Sequence, residues 1–435
     1  MTIWNGISFA GIFIILGIAW LFSADRKRMN FRVILWGFLL QLVLAGFIFW
    51  VPAGARGFLV VNDAVIKILD SAFAGIRFMF GRLALSPGTA TENGESSLGF
   101  FFAFQALPTI VFFAALVSIL YFFKVMPLLI RAFAWLFTRL MRISGAESLC
   151  TAANIFVGVE SVLTVRPYLD RMTRSELHTV LTAGMATIAS SVLAMYVLFL
   201  RDVFPTIAGH LVSASLLSAP AALVLSKILL PETGSPETLG LDVKPEYSRE
   251  NNVIEAAING ANAGLKLVAG IAALLLAFLG LIALADLLLG GIGKGINGIF
   301  GIHFGWSLKN LLGYLFYPLT LVIGVPPEDA RIIAGLIGER VLVTELTAYQ
   351  DLALLLKQGA IHHARSSVLC TYALCGFAHV ASLAVFIGGI TAVAPGRARD
   401  LSRIGPRALL AATLACLMTA AVAGTFFTGR SLLLP

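Results

Sequence analysis

Two glutamates stand in segments where a carboxylate is costly. Glu160 lies in segment 148–169 with Asn154 and Arg166, and Glu345 lies in segment 330–349 with Glu339 and Arg340. Both segments are too polar to face lipid, where a charged side chain costs about 2.5–3.5 kcal/mol on insertion scales. Both are also too apolar, and too rich in small residues, for a loop in water. Re-entrant hairpins meet both objections, because irregular backbone is tolerated at membrane depth where protein or a water-filled cavity surrounds it. There a carboxylate can accept hydrogen bonds from a ligand. The plainer alternatives are ion pairs, Glu345 with Arg340 and Glu160 with Arg166.

His379 and Ser382 lie three residues apart in an apolar stretch, so a helix would bring both to one face. An imidazole there can hydrogen-bond a ligand or carry a proton near neutral pH. The alternative is a hydrogen-bonded core histidine. His178, His210, His303, His362 and His363 fall near segment ends and are expected at the interface. Intramembrane hydrolysis is the competing chemistry for Ser382 and His379, but no H-E-x-x-H and no credible G-x-S-x-G accompanies them. Nothing resembles a carbonyl filter or a charged ring of a channel. Cys150, Cys370, Cys375 and Cys416 show no metal-site spacing and read as small buried residues.

The elements that hold these residues follow from composition. The 435 residues are 59% hydrophobic and 12% charged, with a mean hydropathy of +0.92. Soluble proteins carry roughly 25% charged residues, so a soluble fold, a disordered chain and a collagen are all excluded. A span takes about 20 apolar residues, leaving room for roughly eight to ten. The long continuous runs exclude a β-barrel, whose strands alternate. The net charge of +8 sits at run ends, as topology signals do, and does not indicate nucleic-acid binding. Apolar runs are expected at 3–22, 33–51, 99–123, 176–204, 206–230, 252–289, 308–324, 366–394 and 405–426. The first lacks a basic leader and a cleavage site, so it reads as a retained span. The cluster Arg26, Lys27, Arg28 and Arg32 places the following loop in the cytoplasm. Residues 52–98 read as an interfacial amphipathic helix and an external loop. The longest polar loop, 231–252, divides two membrane halves, and a glycine-rich segment follows at 290–302.

The halves echo each other. Met185-Ala186-Thr187-Ile188-Ala189-Ser190 stands against Phe377-Ala378-His379-Val380-Ala381-Ser382, each behind a hairpin with a central glutamate. Such repeats, with broken helices in corresponding positions, belong to secondary transporters.

At these residues the chain resembles the concentrative nucleoside transporter family over roughly 95–425. The similarity runs through Phe102-Ala103-Phe104-Gln105-Ala106-Leu107-Pro108, Asn154-Ile155-Phe156-Val157-Gly158-Val159-Glu160 and Arg166-Pro167-Tyr168-Leu169. It continues through Asn252-Val253-Ile254-Glu255, Gly338-x-Arg340, Glu345-x-x-Ala348-Tyr349, Tyr372-Ala373-Leu374-Cys375-Gly376-Phe377-Ala378 and Ile387-Gly388-Gly389. The resemblance implies an all-α polytopic membrane protein with about eight transmembrane helices and two re-entrant hairpins in inverted repeats. It also implies a homotrimer in a bacterial inner membrane, elevator-type motion, and nucleoside uptake driven by H+ or Na+, with no other cofactor. The corresponding division is 1–98 (N-terminal spans and interfacial helix), 99–144 (scaffold helix and cytoplasmic amphipathic helix), 145–230 (first transport repeat), 231–326 (polar loop and central scaffold helix) and 327–435 (second transport repeat).

Carried onto this chain, the substrate contacts are Val159, Glu160, Val192, Glu345, Phe377, His379 and Ser382. The coupling-ion candidates are Asn154, Val157, Thr187, Ile188 and His379. Glu345 would accept ribose hydroxyls, Glu160 would meet the base, and Phe377 would pack on it. The chain departs from the family at three places. The Gln-Thr before the first glutamate is Val159 alone, the Asn-Glu of the second hairpin is Thr344-Glu345, and the Asn of Phe-Ala-Asn is His379. These leave a nucleobase or modified nucleoside as the alternative cargo. Because the shortened Asn154 motif offers fewer oxygens, they tilt coupling toward the proton.

Overall fold

The computed structural model describes residues 2–86, 88–90, 94–246, 250–301 and 303–429. Parts of the expected external loop (87, 91–93), of the central loop (247–249), residue 302 of the glycine-rich segment and 430–435 of the last unit lie outside the described residues.

The described chain is built from helices. α1 (Ile3–Leu21) and α2 (Phe31–Phe49) lead to α3 (Pro52–Phe80), and a short α4 (Phe102–Gln105) enters α5 (Leu107–Phe122). α6 (Val125–Met141) precedes the first hairpin, made of α7 (Gly145–Asn154) and a 3₁₀ segment, Val159–Tyr168. α8 (Arg174–Ala186), α9 (Ser190–Leu200) and α10 (Ile207–Leu229) complete the first half. The second half is α11 (Val253–Phe300), α12 (Leu308–Val322), the second hairpin of α13 (Pro327–Leu342) and α14 (Glu345–Lys357), then α15 (Ala364–Leu374), α16 (Val380–Val393) and α17 (Ala398–Phe426). Among the described residues, seven helical stretches are long and apolar enough to cross a membrane.

Two expectations are corrected. The runs 176–204 and 366–394 are not continuous helices. Thr187 is extended (φ −114°, ψ 171°), separating α8 from α9, and Cys375–His379 separate α15 from α16. The glycine-rich segment does not interrupt α11, which runs through it to Phe300 over about 72 Å at 1.5 Å per residue. Helix is retained there because lipid offers no other partner to the backbone. At Gly293 a Cβ would meet the Trp306 ring at 2.1 Å, so glycine also lets the next turn pack close. The run expected at 308–324 is α12, 15 residues and about 23 Å long, which lies along α13.

The two halves pack alike. α6 lies on α7 as α12 lies on α13, and α8 packs on α10 as α15 packs on α17. α5 and α11 run against each other. The hairpins are exchanged: α14 of the second packs on α9, and the 3₁₀ segment of the first packs on α16. The two helix breaks meet at the centre. Gly376 has φ +112°, and a Cβ there would stand 2.7 Å from the Ala186 carbonyl oxygen, so only glycine allows this approach.

Hairpin bases are fixed by charge. Lys227 of α10 pairs with Glu147 of α7 at 2.7 Å, with both side chains buried. Asp329 at the start of α13 accepts from the main-chain N–H groups of His362 (2.9 Å) and His363 (3.0 Å).

Candidate functional site

Glu345 opens the first turn of α14 behind the extended Thr344, and it is only 2% exposed. The Tyr196 hydroxyl of α9 donates to its Oε1 at 2.8 Å. The Tyr196 ring stacks on Tyr349, centroids 4.5 Å apart, and the Tyr349 hydroxyl donates to the Thr371 carbonyl at 2.8 Å. The other carboxylate oxygen, Oε2, lies 3.0 Å from His379 Nε2 without an aligned hydrogen bond. Arg340 instead donates to the Ala373 carbonyl at 2.9 Å, so it is not the partner of Glu345.

His379 is not inside a helix. It is the N-cap of α16, with extended backbone, and its Nδ1 accepts the Ser382 main-chain N–H at 3.2 Å. A neutral ring that accepts at Nδ1 carries its proton on Nε2, which points it at Glu345. Ser382 Oγ donates to the Phe377 carbonyl. Imidazole and serine hydroxyl therefore do not form the nucleophile–base bond that hydrolysis needs. Phe377 is half-buried beside them, and Val192 is buried on the same face of α9 as Tyr196, one turn earlier.

The first hairpin is more open. Glu160 is exposed and faces a cavity of about 730 Å³ that it shares with Val157, Gly158, Tyr121, Arg166 and Ser191. No Glu160–Arg166 ion pair forms among the described residues. Val159 is half-buried against α16, where a Cβ on Gly389 would come within 2.6 Å of its Cγ2. The Ser190 N–H donates to the Phe156 carbonyl at 2.9 Å, fastening the hairpin tip to the start of α9. That bond gathers Asn154 and Val157 near the break at Thr187 and Ile188. Asn154 donates to the Cys150 carbonyl at 2.9 Å, while its Oδ1 is buried with no donor opposite. Thr187 Oγ1 donates to the Ala183 carbonyl at 2.9 Å and keeps its lone pairs. Side-chain oxygens of this kind, with nearby main-chain carbonyls, suit a hard cation.

α9 thus connects two groups of the expected residues. From Ser190 to Tyr196 it rises about 9 Å, from the tip of the first hairpin to the carboxylate of the second. Sequence reading missed Tyr196 and Tyr349. The available signal was the four-residue step from Val192 to Tyr196. His178 and His210, expected at the interface, are fully buried, while His303, His362 and His363 are exposed.

Three family profiles cover most of the chain: the N-terminus of Na+ dependent nucleoside transporters at 10–83, nucleoside recognition at 103–202, and the C-terminus of Na+ dependent nucleoside transporters at 210–424. The putative nucleoside permease NupX of Escherichia coli (strain K12) is 36% identical over 423 residues, covering 97% of this chain and 98% of that protein. The chain belongs to the concentrative nucleoside transporter family. Solute carrier family 28 member 3 of Mus musculus is 39% identical over 434 residues, and this chain spans 58% of its length. Within the same family, the solved structure of CNTnw in an inward-facing, substrate-bound state superposes with a TM-score of 0.84 at 37% identity, covering 97% of both chains. The relatives reported are named as transporters, permeases or solute carriers, and none as an enzyme.

Proposed function

We propose that the protein is a secondary active transporter that takes up nucleosides across a bacterial inner membrane, as a multi-pass homotrimer moving by an elevator stroke. The moving part consists of the two transport repeats, 145–230 and 327–435, and the scaffold consists of 99–144 with the central helix of 231–326. The observation that carries this reading is Glu345, a buried carboxylate held between Tyr196 and His379 where the second hairpin meets α9. Ribose hydroxyls are donors, and a carboxylate with one oxygen lacking an aligned partner is their natural acceptor. Phe377 and Val192 supply an apolar wall for the base. Glu160 meets its polar edge through water, and Val159 packs beside it. Ser382 and His379 hold the ribose side of the site.

The coupling ion is Na+, carried as cargo and held by Asn154, Thr187 and the carbonyls of Val157 and Ile188. The buried, donorless Asn154 Oδ1 supports this over the proton reading, as does the Na+ dependence named for the matched family. A second reading, proton coupling through His379, is supported by the approach of its Nε2 to Glu345.

Proteoliposomes separate these readings. Ribonucleosides, deoxynucleosides and free bases are offered under an inward Na+ gradient at equal pH, or under a pH gradient without Na+. Saturable ribonucleoside uptake that follows Na+ and is lost in Asn154→Ala is the expected result. Uptake that ignores Na+ and follows pH replaces the ion, and uptake of free bases alone replaces the cargo.

A further inference from the structure

Among the described residues, two non-glycine residues have positive φ, Lys124 (63°) and Arg142 (52°). Both are basic, and they bracket α6 at its two ends. Left-handed backbone favours glycine, yet an arginine occupies the C-terminal cap. Leu128, Trp135, Arg139 and Arg142 recur at steps of seven, four and three, so they form one exposed stripe.

At the end of this stripe is a cavity of about 800 Å³ whose lining includes Asn30, Arg32, Trp135, Thr138, Arg139 and Arg142. Its arginines come from two elements, brought together where Arg32 Nε donates to the Leu140 carbonyl at 3.1 Å. Among the described residues no carboxylate pairs with Arg32, Arg139 or Arg142, and Asp242 is the acidic residue in the lining. By contrast, Arg171 pairs with Glu237 at 2.8 Å and Arg201 with Asp70 at 2.6 Å. Three guanidiniums against one carboxylate leave a local excess of two positive charges.

The surroundings are apolar and face outward. Leu128 is 69% exposed, Phe31 77% and Trp135 54%. Guanidiniums match phosphate oxygens in paired hydrogen bonds, and a tryptophan beside them marks the boundary between head groups and acyl chains.

We propose that this cavity binds the head group of an anionic phospholipid. Its phosphate lies among Arg32, Arg139 and Arg142, and its acyl chains run along Leu128 and Trp135. The same end of the molecule carries Arg26, Lys27 and Arg28, which assign it to the cytoplasmic leaflet, where anionic lipid attracts basic residues. The bound lipid braces the root of the first hairpin. Arg142 directly precedes Ile143, whose carbonyl accepts from the Gly240 N–H at 3.1 Å, and Gly145 N–H donates to the Thr238 carbonyl at 2.8 Å. This inference does not depend on which cargo or ion is carried.

The test uses purified full-length protein in nanodiscs and by native mass spectrometry. Phosphatidylglycerol is expected to stay bound and to raise the thermal midpoint, whereas phosphatidylcholine does neither. Arg32→Gln, Arg139→Gln and Arg142→Gln each lower phosphatidylglycerol retention by about fivefold. Arg201→Gln, outside the cavity and paired with Asp70, leaves retention unchanged. Arg142→Gly guards against misfolding, because it relaxes the left-handed cap: it keeps its midpoint in phosphatidylcholine and loses the phosphatidylglycerol shift. Equal retention of both lipids, an undiminished shift in Arg142→Gly, or full reproduction of the effect by inorganic phosphate alone would each overturn the proposal.

Discussion

In the first hairpin the tip is fastened by main chain, Ser190 N–H to the Phe156 carbonyl, and Glu160 stands open to a wide cavity. In the second, the tip is fastened by side chains, with Tyr196 and His379 converging on a carboxylate that is almost wholly buried. The bases are alike: buried charge holds each to the body of the molecule, through Glu147–Lys227 or Asp329. Repetition of the fold has therefore preserved the anchorage and let the tips diverge. A ligand at the first tip competes with water. On the proposed reading, a ligand at the second would compete with Tyr196 and His379, so the second tip is where binding would exchange protein contacts.

That contrast can be broken by five substitutions. Glu345→Gln removes the charge that accepts from the Tyr196 hydroxyl and would accept from a ribose hydroxyl. Hydrogen bonds to charged groups contribute about 1.5–3 kcal/mol each, so a loss of about 3 kcal/mol, roughly 150-fold in kcat/KM for uptake, is expected. A loss smaller than that of Glu160→Gln would invert the assignment of the two tips. Gly389→Val should lower stability by about 2 kcal/mol through overpacking, because its Cβ would strike Val159, read as a fall in Tm. Gly388→Val, which meets nothing within 4 Å, should leave Tm unchanged, and equal falls would mean that the hairpin contact is unimportant. Tyr196→Phe keeps the stack on Tyr349 but leaves Glu345 Oε1 without its donor, for about 1.5 kcal/mol, or roughly tenfold in kcat/KM. No change there would make Tyr196 packing alone. Glu160→Gln should stay within about threefold, since an exposed charge is screened by water.

Much of this was legible because cost leaves a mark in sequence. A glutamate among small apolar residues is improbable in lipid, so both hairpins could be placed, and the echo of Met185–Ser190 in Phe377–Ser382 found the second site element from the first. The helix breaks were not legible, because hydropathy sums over a window while a break is set by contact between distant segments, as Gly376 with Ala186 shows. For the same reason His379 was expected within a helix beside Ser382, whereas it caps the helix and turns back on the Ser382 N–H. Tyr196 escaped notice because, in an apolar run, a tyrosine whose hydroxyl reaches a partner 149 residues away looks like any other packing residue. The continuity of α11 through its glycines ran against local propensity and followed from the surrounding medium.

The four thiols offer a practical opening. Cys150, Cys370, Cys375 and Cys416 are all unpaired and all inaccessible at the surface. Water-soluble maleimides should therefore leave the native chain almost unlabelled, with no need to remove its cysteines. A single reporter placed at position 160 would then be the one bright handle on the molecule, and its labelling rate would time the opening and closing of the cavity as cargo is added.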